Sequence, residues 1–254
     1  MGDGEVINCI VSGNTPSGDS WNTTGGGILV SGNATISNSI IKNNTAVFGG
    51  GINCGGTVTI SGNEIFGNSG KHGGINAGGT TTITGNNIYS NNGTNGGDGG
   101  GGINAGGDLT IKNNNIFSNT GAYGGAIKIS GGTSIITENI FYGNTVSGQY
   151  GGILWVGKNY TASTIRNNVF EKNTGRTVFY LLNDQNYIIE NNNIFDNETD
   201  YYAMIANSAA VDISDNWWGT TDSSAIDSKI YDSNDNYDRG LITYAPLLDE
   251  PYIG

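Results

Sequence analysis

The sequence predicts an all-β fold, a parallel β-solenoid with three short strands per coil and about eight to nine coils. Three observations predict it. Aliphatic residues recur at fixed offsets inside a repeated unit, the unit itself recurs at an elastic spacing, and its composition suits strands and corners rather than helices. The repeat is visible by eye: "TISGNEIFGN" at residues 59–68 returns as "TITGNNIYSN" at 82–91 and "TIKNNNIFSN" at 110–119.

The first strand of each unit is an alternating, Thr-rich run such as "TVTI" (57–60) and carries one aliphatic anchor. The anchors are Val6, Ile36, Ile60, Ile83, Ile111, Ile136, Ile165, Ile189 and Ile213. A second strand carries an anchor five positions on, at Val11, Ile41, Ile65, Ile88, Ile116, Phe141, Phe170, Ile194 and Trp218. Spacing between copies runs from 23 (Ile60 to Ile83) to 30 (Val6 to Ile36), while the internal offsets stay constant. That combination marks a stacked coil whose loops absorb length at one corner. A third strand begins at each "GGI" or "GG[GA]I", giving anchors Ile28, Ile52, Ile75, Ile103, Ile127 and Ile153 and an outward row Leu29, Asn53, Asn76, Asn104, Lys128 and Leu154. At about 4.8 Å per layer, nine anchors span roughly 38 Å.

Between the first two strands lies a column of asparagines: Asn63, Asn86, Asn114, Asn139, Asn168, Asn192 and Asn216. Asparagine tolerates the left-handed backbone a sharp corner needs, and stacked one per layer its amide can bond to those above and below. Cys9 and Ser39 interrupt the column, so it is expected to fray in the first two coils. A further asparagine follows each second anchor, from Asn14 and Asn44 to Asn173 and Asn197. The register sets Cys9 and Cys54 at different corners and layers, beyond the roughly 7 Å limit for a disulfide, and both are expected as buried free thiols.

Residues 1–220 are thus expected to form the solenoid, and 221–254 its C-terminal cap and tail. The closing stretch "NWWG…AIDSKIYD…GLITYAPLL" reads as a short amphipathic turn with Ile226 and Ile230 on one face, covering a strand edge that would otherwise invite aggregation. At the other end Val6 enters in mid-coil, which implies a longer parent chain or another covering element.

The pairing of "GGAI" (124–127) with "FYGN" (141–144) and "FEKN" (170–173) resembles the repeats of chlamydial polymorphic membrane proteins. More broadly, residues 1 to about 220 resemble the right-handed, pectate-lyase-like β-helices of microbial surface proteins. The resemblance implies a right-handed coil and an extracellular or cell-surface location, although "MGDGEVINC" contains no export signal. It also implies where chemistry would sit: enzymes of this fold cluster carboxylates, Ca²⁺ and a basic residue on one outer face.

Composition narrows the function. The 254 residues include 44 glycines and only 13% charged residues, against about 25% in an ordinary globular chain. A net charge of −12 with ten scattered Lys and Arg disfavours nucleic acid, and no run of 18 apolar residues exists to span a membrane. The third-strand outward row holds no carboxylate and thus no general acid–base pair. His72 reads as a solvated loop residue; Arg166, Glu171, Arg176 and Asp184 form the remaining charged cluster crossing coils. Asp232, Asn234, Asn236 and Asp238 have the alternation of a Ca²⁺ loop, but Tyr237 stands where that turn needs glycine. No cofactor is expected otherwise. Six sequons begin at Asn22, Asn33, Asn43, Asn92, Asn159 and Asn197.

Two outward rows point to binding. Thr35, Thr59, Thr82, Thr110 and Thr164, with Thr57 and Thr80, form an array like that of ice-binding solenoids, interrupted by Ile135, Asn33 and Asp108. Phe66, Tyr89, Phe117 and Tyr142 follow inward anchors, so strand alternation sends their rings outward. Such a strip suits a glycan, a surface protein or self-association. The sequence therefore supports an adhesive or structural role first, with a polysaccharide-active enzyme and an ice-binding solenoid as the competing classes.

Overall fold

The computed structural model describes residues 2–16, 24–157, 163–182 and 187–253. Three parallel sheets stack along one axis. The first has eight strands, from Gly4–Ile7 to Tyr187–Glu190, and the second has eight, from Ile10–Ser12 to Asn193–Phe195. The third begins at Ile28–Val30 and ends on Ile230–Tyr231. Eight coils follow one another with the register of the first sheet preserved throughout: Ile36 pairs with Ile60, Ile60 with Ile83, Ile83 with Ile111, and so on to Ile189. Consecutive anchors therefore sit one strand spacing apart, as the repeat predicts.

The alternation of side chains does the sorting. Strand Thr81–Thr84 buries Thr81 and Ile83 and turns Thr82 and Thr84 out; strand Asn87–Tyr89 buries Ile88 alone. The interior is a set of aliphatic columns, joined by a stacked pair, Phe141 and Phe170, with centroids 4.6 Å apart. Each fully buried Ile contributes about 1.5–3 kcal/mol, and each layer is stabilised by its two neighbours.

The corners are the second device. Asn63 Nδ2 donates to Asn86 Oδ1, and the same bond repeats to Asn216 at 2.9–3.0 Å. Each ladder residue also donates its backbone N–H to the next amide oxygen and reaches back to the preceding anchor's carbonyl, as Asn114 does to Ile83. The asparagines after the second sheet, from Asn14 to Asn197, form an equal ladder at 2.8–3.1 Å, a role the repeat spacing did not reveal.

Four expectations are corrected. The left-handed residue at each corner is not the ladder asparagine but the one before it: Gly62, Gly85, Asn113, Glu138 and Asn167 at the first corner, Gly67, Ser90 and Ser118 at the second. Turning the chain one residue early frees the ladder side chain to point inward. The ladder does not stop at Ser39, which donates its N–H to Asn63 Oδ1 and accepts the Cys9 N–H on its hydroxyl; only the amide donors are lost. Cys9 is exposed; Cys54 is buried, and burial pushes its thiol up to about 11, so it is inert. In the third sheet Ile127 pairs with Leu154, not Ile153, because a bulge follows Gly124. Leu154 therefore points inward, and Trp155 takes its place in the outward row.

Close packing explains the recurrent double glycine. A Cβ on Gly51 would lie 2.6 Å from the Gly74 carbonyl oxygen and 3.0 Å from Asn68 Cγ, so no side chain fits under the second ladder there. At the C-terminal end Trp218 fills the last layer, and a short helix, Ser223–Asp227, covers it with Ile226. Asp222 caps that helix by accepting from the Ser224 and Ala225 N–H groups. Ile230 continues the third sheet.

Two substitutions test this architecture. Ile111→Asn is expected to cost several kcal/mol, since it strands a polar group in the middle layer; melting within a degree or two of the parent would show the column is not core. Asn114→Ala removes an acceptor and a donor from buried partners and is expected to cost about 3 kcal/mol or more. The neighbouring, exposed Asn115→Ala is expected to stay within about 0.5 kcal/mol, both read by denaturant unfolding.

Candidate functional site

The outer face of the second sheet carries two columns. Phe66, Tyr89 and Phe117 are in register and stack face to face, with centroids 4.7 Å apart and planes 6° off parallel at each step. Lys42 lies 5.9 Å from the Phe66 centroid. Alternation thus turns these rings outward, yet their faces are occupied by one another and only their edges meet solvent. Beside them Asn87 donates to Glu64 at 2.6 Å and Asn115 to Asn87 at 2.8 Å, a polar ladder flanking the aromatic one. Partial burial and then the Glu64 carboxylate push the Tyr89 phenol up.

The ring stack runs to Phe117. Tyr142, in register with it, is 41% exposed and holds the Lys172 ammonium 5.3 Å from its centroid. Its neighbour Ile140 is 46% exposed. Coil six therefore presents apolar side chains where the earlier coils present a closed ladder.

On the first sheet Thr35, Thr59, Thr82 and Thr110 are in register, and Ile135 follows them as an exposed apolar residue. The charged cluster expected across coils separates into pairs: Arg166 with Glu190 at 3.0 Å, Arg176 with Asp200 at 3.0 Å, and Glu171 with Lys172 at 2.7 Å. Asp184 lies outside the described residues, as do Asn22 and Asn159. Of the other sequon asparagines, Asn33, Asn43 and Asn92 are exposed, whereas Asn197 is bound in the second ladder.

In the tail loop, Asp232 accepts the Asn234 and Ile242 N–H groups and Asn236 accepts that of Asp238. These oxygens close the loop on itself. Among the described residues no group of three or more His, Cys, Asp or Glu is placed to hold a metal ion.

The third-sheet face holds what sequence reasoning missed. Asn76 donates to Asn53 at 2.7 Å and Asn104 to Asn76 at 2.8 Å. The next member of the row, Lys128, has a side chain only 11% exposed, with its ammonium 5.6 Å from the Tyr123 ring, 5.4 Å from the Trp155 ring and 4.0 Å from Asp98. Tyr123 and Trp155 are parallel, with centroids 5.6 Å apart. His72, expected in solvent, is 8% exposed and packs against Phe48. Burial, with Lys128 and Lys71 nearby, pulls its pKa down to about 4. Asn104, Lys128 and Trp155 stand on strands of this face, whereas His72, Asp98 and Tyr123 reach it from loops, for which strand alternation carries no signal.

The family described as "Right handed beta helix region" matches residues 102–236, more than half of the chain. No curated protein and no solved structure matches the chain.

Acid is expected to destabilise the fold through His72. Unfolded, it binds a proton near pH 6.5; folded, near pH 4, so the unfolded state holds more protons between these values. Stability is complete above about pH 6.5, falls by about 1–3 kcal/mol down to about pH 4, and then levels off for this residue. His72→Phe, which keeps the contact with Phe48, is expected to flatten that slope in urea unfolding across the window; an unchanged slope would show that His72 is not buried neutral.

Proposed function

From a chain that belongs to the right-handed β-helix family, with surface groups bonded mainly along the solenoid axis, we propose a non-catalytic structural and adhesive protein of the cell exterior. The observation that carries this reading is the direction of the outer contacts. Glu64, Asp98, Glu138 and Glu190 each engage a partner in a neighbouring coil: Asn87, Lys71, Lys112 and Arg166. A hydrolase or lyase of this fold needs carboxylates and bases that converge unpaired on substrate. Here the same groups tie one coil to the next, which suits a rigid spacer. The likeness of "GGAI", "FYGN" and "FEKN" to repeats of microbial surface proteins supports the exterior location.

The adhesive contact is assigned to the second-sheet face at Phe117 and Tyr142, with an extended glycan as the ligand. Sugar rings pack on aromatic faces, and the face-to-face stack stops at this step, beside exposed Ile140. The closed part of the ladder offers edges alone.

Two outcomes test the proposal. Incubation with polygalacturonate or alginate is expected to give no unsaturated, ultraviolet-absorbing product; a product whose yield depends on Arg166 or Glu171 would establish an enzyme instead. On a glycan array, Tyr142→Ala is expected to weaken binding by about 1–3 kcal/mol with little change in melting. Phe117→Ala should lose both binding and stability, because it also ends the stack on Tyr89. Binding unchanged by Tyr142→Ala, with a large fall in melting temperature, would make that ring structural and remove the contact.

A further inference from the structure

Just past the closed ladder the second-sheet face opens into a groove. One outward row runs along it in register: Glu64, Asn87, Asn115, Ile140, Val169 and Asn193. As far as Asn115 the row is bonded side chain to side chain. At Ile140 and Val169 it turns apolar, and a groove of about 520 Å³ lies over them, a volume within the roughly 300–1,000 Å³ of ligand sites. Glu138 and Asn167 edge the groove on the corner side. Tyr142 stands two residues along the strand from Ile140, on the same outer face. At one end exposed Asn115 spends its Nδ2 on Asn87 and has an oxygen left to accept. The other end is closed by the tail, where Tyr252 donates its N–H to Asn193 Oδ1 at 2.7 Å and accepts from Asn193 Nδ2 at 3.1 Å.

The groups around the groove select the ligand. The carboxylates beside it are already matched: Glu138 by Lys112 at 3.1 Å, and Glu171, in register with Tyr142, by Lys172 at 2.7 Å. Among the described residues no Lys or Arg lines the groove. An acidic sugar would therefore find no cation to pair with, on a chain whose net charge of −12 already repels it. An extended peptide would lay backbone N–H and C=O groups on Ile140 and Val169, which cannot bond to them. Asn193, whose amide does bind backbone at both groups, is taken by Tyr252. A sugar ring instead turns apolar C–H faces to Ile140, Val169 and Tyr142, and carries at its rim hydroxyls that both donate and accept.

We propose that the groove from Asn115 to Tyr252 is the principal subsite of the glycan contact assigned at Tyr142, and that it takes an uncharged glycan laid along the solenoid axis. The inference rests on that assignment and extends it by naming the cleft and the class of sugar. Three strand spacings of about 4.8 Å separate Asn115 from Asn193, so the groove holds a short run of rings rather than one. Their faces pack on Ile140 and Val169 beside Tyr142, and their hydroxyls reach the Asn115 oxygen and the Glu138 carboxylate at the edges.

The test is titration calorimetry with uncharged hexasaccharides (cello-, manno-, xylo- and N-acetylchitohexaose), with hexagalacturonate, and with a synthetic peptide of residues 246–254. At least one uncharged hexasaccharide is expected to bind, and hexagalacturonate and the peptide are expected not to. Val169→Glu sets a carboxylate on the groove floor, where a bound sugar would strip its water, and is expected to weaken binding about tenfold or more. Asn115→Ala, at an exposed position, removes one polar contact and is expected to weaken it by up to about tenfold. Melting curves confirm that both variants fold, and Asn115→Ala alone decides the matter if Val169→Glu unfolds. Binding that is lost in Tyr142→Ala but unchanged in Val169→Glu and Asn115→Ala would keep the contact at Tyr142 and overturn the groove. Tighter binding of hexagalacturonate, or of the peptide, would overturn the class of ligand. No binding of any hexasaccharide would remove the contact at Tyr142 itself, and the groove with it.

Discussion

The hydrogen bond from one asparagine side chain to the asparagine of the next coil is the constraint on which the rest of this structure depends. A buried amide left unpaired costs about 1–3 kcal/mol, and each corner places one in every layer. Satisfying all of them requires a single vertical spacing and a single angular phase. Asn86 meets the condition by donating forward to Asn114 Oδ1 and back to the Ile60 carbonyl, while its Oδ1 accepts from Asn63. Once both corners are locked, the two strands beside them have no freedom of register. The offset from first anchor to second stays constant, and length varies on both sides of the third strand: Asn91 to Ile103 is 12 residues where Asn68 to Ile75 is 7, and Leu154 to Ile165 is 11 where Ile103 to Ile111 is 8.

The outer surface inherits the same repeat. Any side chain that follows an anchor meets its counterpart one layer away, so rings stack, amides chain and charges pair along the axis. Phe66, Tyr89 and Phe117 stack for this reason, as Glu64, Asn87 and Asn115 bond for it. Single exposed ion pairs add little stability; those of Lys71 with Asp98, Lys112 with Glu138 and Arg166 with Glu190 run from one coil to the next. The repeat is interrupted at Tyr142, where the stack has ended, and at Lys128, where an asparagine row is broken.

Much of this was legible in the residues. The columns through Ile60, Ile83 and Ile111 and the ladder through Asn86 and Asn114 follow from constant offsets, because a solenoid converts sequence period directly into contact. Strand parity likewise gave the outward direction of Phe117. What the sequence left hidden depends on geometry that parity does not encode. The bulge after Gly124 shifted Leu154 inward, since an inserted residue inverts every side chain beyond it. The burial of His72 and its proximity to Asp98 arise from two loops in different coils, where no periodic signal exists. The ring stack was also misjudged in its consequence: spacing near 4.8 Å permits face-to-face contact, which removes the faces from a ligand.

The most direct test of the account is amide hydrogen exchange at the ladder asparagines. The backbone N–H of Asn86, Asn114, Asn139 and Asn168 each bonds to a side-chain oxygen in the next coil, outside any strand ladder. If the asparagine columns hold the coils in phase, these amides exchange only with global unfolding, as slowly as those of Ile83 and Ile111, and protection declines toward Ser39 and Cys9. If they exchange at the rate of exposed loops while the strands remain protected, the strands hold the solenoid and the ladders merely follow.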